Sequence, residues 1–173
     1  MRQNLTFAPC LGQLWGMSKS LKRVRAALEA AEITTEIRET GNARTAEDAA
    51  AAVGCALNQI VKSIIFQARD GDALALFLTA GGNQVDPDAA TALFGKPLAR
   101  ADADTVRRKT GFAIGGVAPV GHLSPPRCFL DPALMGFPLV WAAAGTPRHV
   151  FAIAPDRLHS LTGARIADFV KVG

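Results

Sequence analysis

Two apolar runs, Ile60–Ala68 (IVKSIIFQA) and Ala73–Ala80 (ALALFLTA), follow one another with only Arg69-Asp70-Gly71-Asp72 between them. Their β-branched and aromatic content suits strands, and an Asp-Gly pair in a short connection closes an antiparallel hairpin. Near-continuous apolar character places both strands at the centre of a sheet. A second hairpin is expected where Leu139–Ala144 and His149–Ala154 flank Gly145-Thr146-Pro147-Arg148.

Helices are marked by their caps. Ser18 precedes a segment that carries Leu21, Val24, Leu28 and Ala31 on one stripe, the spacing of an amphipathic helix. Thr45 with Asp48 three residues on approximates a capping box, and Gly54 supplies the stop. Asp86-Pro87 opens a helix ending at Gly95, Asp102 caps one ending before Gly111, and Pro155 starts one that stops at Gly163. Ile33–Thr40, where polar residues separate Ile33 from Ile37, reads as a further strand.

Helices interleaved with direct hairpins exclude a doubly wound parallel sheet and give an α/β (α+β) class with a mixed or antiparallel sheet. A chain of 173 residues, 49% of them hydrophobic, makes one well-cored domain and is too short for two. No run approaches the roughly 20 apolar residues of a membrane helix, and residues 1–16 lack the apolar core of a secretory signal. A soluble, cytoplasmic protein with no membrane partner is expected. Cys10, Cys55 and Cys128 are too scattered for a disulfide framework or a zinc site.

Few residues are placed for chemistry. Period two puts Lys62 on the same strand face as Ile60, Ile64 and Phe66. On composition alone it fits a snorkelling lysine; the alternative is a partly desolvated cation at the floor of a pocket, where it would hold a carbonyl, a phosphate or a ribose. The run Gly115-Gly116-Val117-Ala118-Pro119-Val120-Gly121-His122 is either a plain turn or a loop whose amides bind an anion or carbonyl. It matches neither a Walker loop nor a dinucleotide fingerprint. His122, His149 and His159 have no metal-binding spacing; His149 and His159 read as structural or solvent-exposed, and Cys55 and Cys128 as small core residues. Of the 19 Lys and Arg, set against 15 Asp and Glu, Lys19, Lys22, Arg23 and Arg25 crowd the first helix outside its apolar stripe. They are candidates for a polyanionic partner, with Arg107-Arg108-Lys109 a second basic cluster. Tyr is absent and aromatics make up 6% of the chain, so a base-stacking platform has little material.

Taken in order, Thr45-Ala-Glu-Asp-Ala-Ala with Gly54, QIVKSIIF, Val85-Asp86, Thr110-Gly111, GGVAPVG and Leu130-Asp131-Pro-Ala-Leu resemble the YbaK/prolyl-tRNA-synthetase-associated editing domain family. The resemblance implies a mixed, mostly antiparallel, barrel-like sheet surrounded by helices, with residues 17–173 as the editing domain and 1–16 as an extension. It also implies hydrolysis of the ester joining a wrong, small amino acid to tRNA, with mischarged tRNA and prolyl-tRNA synthetase as partners and with neither metal nor cofactor. Lys62 would engage the terminal adenosine or the aminoacyl carbonyl. Amides of the loop from Gly115 and Gly116 through Pro119 and Gly121 would orient the ester and stabilise its oxyanion. The attacking water would be activated by the substrate's own hydroxyl or amine. Thr45, Ser63, Gly115, His122 and Asp131 are the remaining pocket candidates, and Lys19, Lys22, Arg23 and Arg25 would meet tRNA phosphates. The competing reading is a noncatalytic tRNA- or DNA-binding module on the same fold.

Overall fold

The computed structural model describes residues 17–171, so the expected extension at 1–16 lies outside the described residues. The chain runs α1 (Lys19–Ala30), β1 (Ile37–Glu39), α2 (Ala46–Val53), β2 (Ile60–Ala68), β3 (Leu74–Ala80), α3 (Pro87–Phe94), β4 (Leu98–Arg100), α4 (Ala103–Thr110), β5 (Arg127–Leu130), β6 (Val140–Ala143), β7 (His149–Ile153), α5 (Pro155–Thr162) and β8 (Arg165–Ile166). The two expected hairpins are present: β2 pairs antiparallel with β3, Lys62 opposite Thr79, and β6 pairs antiparallel with β7.

All seven residues of β3 are buried because both faces are covered. Leu74, Leu76, Leu78 and Ala80 enter the larger core with Leu21, Val24 and Leu28 of α1, while Ala75 and Phe77 enter a second core with Phe94, Phe129 and Phe169. There Phe77 stacks on Phe129 at 4.8 Å and meets Phe66 and Phe169 edge-on, arrangements that aromatic quadrupoles favour. The caps hold the helices where the sequence puts them. Ser18 Oγ accepts from Leu21 N–H at 3.2 Å, Thr45 and Asp48 form a reciprocal box, and Asp86 and Asp102 cap α3 and α4.

The sheet is mixed. Its path, β1-β7-β6-β2-β3-β5-β8 with β4 against β2, stays open between β1 and β8 rather than closing on itself. Parallel pairings join β2 to β6, β3 to β5 and β5 to β8. β2 therefore has two partial neighbours on the edge away from β3. β6 pairs with Ile60 and Val61, and β4 with Phe66, Gln67 and Ala68. Lys62–Ile65 lie between them with no strand alongside among the described residues, and this gap carries the site described below.

The strand expected at Ile33–Thr40 is only Ile37–Glu39. The helix exit occupies its first half: Ile33 N–H bonds to Leu28 O at 2.9 Å, Glu32 turns left-handed at φ 55°, and Thr35 Oγ1 bonds to Ala152 O at 2.6 Å. A left-handed conformation costs a non-glycine residue about 1 kcal/mol, part of which glycine returns through its freer unfolded chain. Glu32→Gly should therefore stabilise the domain by a few tenths of a kcal/mol, raising the melting temperature by about 1–2 °C. A lower melting temperature by calorimetry would show that Glu32 makes a compensating contact.

Candidate active site

Lys62 sits half-buried in the wall of a cavity of about 320 Å³ at the sheet gap, together with Thr45, Ser63, Gly115, Trp141 and His149. Its Nζ donates to the carbonyl of Asn83. That carbonyl is held in turn, because Asn83 Nδ2 donates to Asp131 Oδ2 at 2.8 Å. Asp131 is 1% exposed and also accepts from Ala80 N–H at 3.1 Å and Ala133 N–H at 2.9 Å. A buried carboxylate thus fixes the turn that fixes the lysine. Partial burial draws the Lys62 pKa below the usual lysine value, while the negative charges of Glu47 and Asp131 oppose that and favour the ammonium. An ammonium has three donors; one is spent on Asn83, so two remain for a ligand.

Thr45 lines the same cavity, its hydroxyl already accepting from Asp48 N–H at 3.1 Å in the α2 cap. Ser63 Oγ is buried and has no hydrogen-bond partner among the described residues.

The glycine run does not act as one loop. Gly115, at φ 93°, borders the Lys62 cavity with open space around it. Gly116 is buried and its N–H is committed to Ala113 O at 3.0 Å; a Cβ there would lie 2.7 Å from Thr146 C and 2.9 Å from Pro147 N. Pro119, Gly121 and His122 line a separate cavity of about 210 Å³ with Cys128. The structure therefore brings Thr45, Lys62, Ser63 and Gly115 together, sets Asp131 behind them and places Pro119, Gly121 and His122 elsewhere.

His122 stacks edge-on to Phe112 at 5.5 Å, and its Nε2 is buried without a partner among the described residues. Burial, aided by the Arg23 charge and opposed by a hydrogen bond to the Ala118 backbone, lowers its pKa to about 4 from 6.5. The folded state thus holds this imidazole neutral while the unfolded chain takes up a proton below about pH 6.5, so stability falls as pH drops from 6.5 towards 4. The full loss is about 3 kcal/mol. Urea titrations of wild type and His122→Phe should diverge in that window; parallel curves would mean that His122 is protonated at little cost. Asp48, Asp72 and Asp102, whose pKa values are held low mainly by hydrogen bonds, act only in more acid solution. Burial pushes the Cys128 thiol up to about 12, the behaviour of a core thiol and not of a nucleophile.

The basic residues divide as well. Lys19, Lys22 and Arg25 are exposed on α1. Arg23 instead donates through Nη2 to Gly111 O at 2.6 Å and through Nε to Gly121 O at 3.2 Å, with its guanidinium over Phe112. Arg108 and Lys109 of the second cluster pair with Asp72 at 3.8 and 2.8 Å. Among the described residues, no group of three or more His, Cys, Asp or Glu side chains is gathered to hold a metal ion.

Sequence reasoning passed over several residues of the Lys62 cavity, His149 and Trp141 among them. His149, read as structural or exposed, lines it with Nδ1 2.6 Å from Thr146 Oγ1, and Trp141 packs there with Arg38 over its ring at 4.9 Å. Both come from the second hairpin, which reaches Lys62 only through the parallel pairing of β6 with β2. No local pattern announces that pairing.

Comparison with known proteins gives a consistent result. The model of a family described as "Aminoacyl-tRNA editing domain" matches residues 40–161. The protein YwhH of Bacillus subtilis (strain 168) is 31% identical over 128 residues, covering 74% of this chain and 80% of its own length. The proline–tRNA ligase of Thermosipho africanus (strain TCF52B) is 35% identical over 92 residues, which make up 53% of this chain but 16% of the synthetase. A crystal structure described as "a putative trans-editing enzyme for prolyl tRNA synthetase" is 46% identical and superimposes with a TM-score of 0.83, covering 90% of this chain and 99% of that one. The crystal structure of hypothetical protein APE2540 gives a TM-score of 0.78 at 27% identity, over 86% of this chain and 99% of that one.

Proposed function

Because the chain belongs to the aminoacyl-tRNA editing domain family, we propose that it is an aminoacyl-tRNA deacylase, cleaving the ester of tRNA(Pro) mischarged with a small amino acid. The observation that carries this reading is Lys62, a half-desolvated ammonium fixed at one donor by Asn83 and opening on a cavity of about 320 Å³. A cation held in such a place stabilises negative charge as it develops on an ester oxygen, and it needs no reorganisation at the moment of reaction.

Gly116 has no free amide to offer, so among the expected loop donors the role passes to Gly115 and its neighbours at the cavity rim. Substrate hydroxyl or amine groups, held near the ester, direct the attacking water. The exposed Lys19, Lys22 and Arg25 meet tRNA phosphates, and Arg23 serves the fold instead. The similarity to part of a proline–tRNA ligase supports action beside that synthetase, in the cytoplasm where tRNA is charged.

The test is a panel of tRNA(Pro) charged with alanine, cysteine, 2-aminobutyrate or proline, followed for release of the amino acid. Turnover of at least one small noncognate ester with proline spared is expected. Tight binding of the charged tRNA with no release would replace this reading by the noncatalytic binding module.

A further inference from the structure

The cavity of about 210 Å³ that holds His122 lies apart from the Lys62 cavity. The glycine run separates the two: Gly115 and Val117 border the Lys62 cavity, while Pro119, Val120 and Gly121 border this one. Leu76, Leu161, Pro125 and Pro126 supply most of the remaining apolar wall, and Pro125 stands exposed where the cavity meets solvent. Proline holds its φ fixed, so Pro119, Pro125 and Pro126 stiffen the wall against collapse.

Polar side chains are few in this lining. Thr162 Oγ1 already donates to Leu158 O at 2.8 Å and accepts from Ala164 N–H at 3.3 Å. Cys128 brings a thiol, a weak donor whose sulfur makes a soft contact for an aromatic ring. That leaves His122. A neutral imidazole has one nitrogen that donates and one that accepts. The donor goes to the Ala118 backbone, whose hydrogen bond favours the charged ring as an accepting carbonyl does. The acceptor has no partner among the described residues.

We propose that this cavity is a second binding site, for an uncharged, single-ring aromatic molecule that carries one hydroxyl or N–H donor. An apolar cavity of about 150 Å³ is enough to take benzene, so the volume here admits one substituted ring. Water is poorly served, because it seeks two to four polar partners and this lining offers one strong acceptor. A carboxylate would set its lone pairs against that of His122, and an ammonium would meet the Arg23 charge that already reaches the imidazole. A neutral donor pairs with the imidazole while its ring lies against Cys128 and the prolines. None of Thr45, Lys62, Ser63 and Gly115 lines this cavity, so the site stands independently of the deacylase reading.

The experiment uses the whole chain, isotopically labelled, titrated with phenol, toluene, benzoate and benzylammonium and followed by amide NMR. Phenol should shift the amides of Gly121, His122 and Cys128 saturably and bind about fivefold more tightly than toluene, the worth of one hydrogen bond. Benzoate and benzylammonium should both bind more weakly than toluene. His122→Phe, which keeps an aromatic ring and removes the acceptor, should level phenol and toluene. Ala27→Leu, which fills the cavity from α1, should weaken both by about tenfold or more. Phenol that leaves these amides unmoved, binds no better than toluene, or keeps its preference in His122→Phe would overturn the assignment and leave the cavity to water. Binding undiminished in a folded Ala27→Leu protein would overturn it too; if that variant does not fold, the wild-type and His122→Phe comparisons decide alone.

Discussion

Lys62→Ala is expected to lower deacylation of mischarged tRNA by about a hundredfold or more, the scale of removing one preorganised group that stabilises transition-state charge. The fold should survive. Lys62 is only half-buried, and the charge removed is one that burial disfavours. The carbonyl of Asn83 loses its donor, at a cost of about 1 kcal/mol. It stays in place because Asp131 grips the Asn83 side chain from within. Lys62→Met, which keeps the apolar stem, separates charge from packing: it should be as inactive as the alanine variant and more stable. Wild-type release rates in either variant would remove Lys62 from the chemistry.

Gly116→Ala should damage stability and activity together. The added Cβ meets main chain, at 2.7 Å from Thr146 C and 2.8 Å from Thr146 Cα, and main chain cannot swing aside as a side-chain tip can. Overpacking of this kind costs about 1–3 kcal/mol. What has to move is the turn between β6 and β7, which carries Thr146 and His149 into the Lys62 cavity. Val120→Ala, on the far side of the run, should keep most of the activity. Urea unfolding and single-turnover deacylation on both variants decide the matter; a Gly116→Ala protein as stable and active as wild type would show that the turn yields without consequence.

Features that depend on neighbours in sequence were legible in advance. The Asp-Gly connection predicted the β2–β3 hairpin, and Ser18, Thr45, Asp86 and Asp102 all cap where a side-chain oxygen can reach amides two or three residues on. Lys62 stood out because a charge among Ile60, Ile64 and Phe66 is expensive without a partner. The rest depends on contacts distant in sequence. Whether Gly116 faces substrate or the Thr146 backbone is decided by where β6 lands on β2, and Arg23 is set apart from Lys22 and Arg25 only by carbonyls about 90 residues away. The gap at Lys62–Ile65 belongs to the sheet and not to any one strand, so no periodicity in β2 records it.

Arg23 bonds to both Gly111 O and Gly121 O, the two ends of the segment that passes Gly115 along the cavity. One side chain of α1 therefore draws that segment closed at its base like a purse string. Around this helix, tolerance to substitution should be sharply uneven. Lys19, Lys22 and Arg25 can be recharged freely to retune attraction for a polyanion, whereas Arg23→Lys, which preserves the charge, forfeits the two-pronged grip and lets the segment spread. An engineer seeking to change the charge of this face has three positions to vary and one to leave alone.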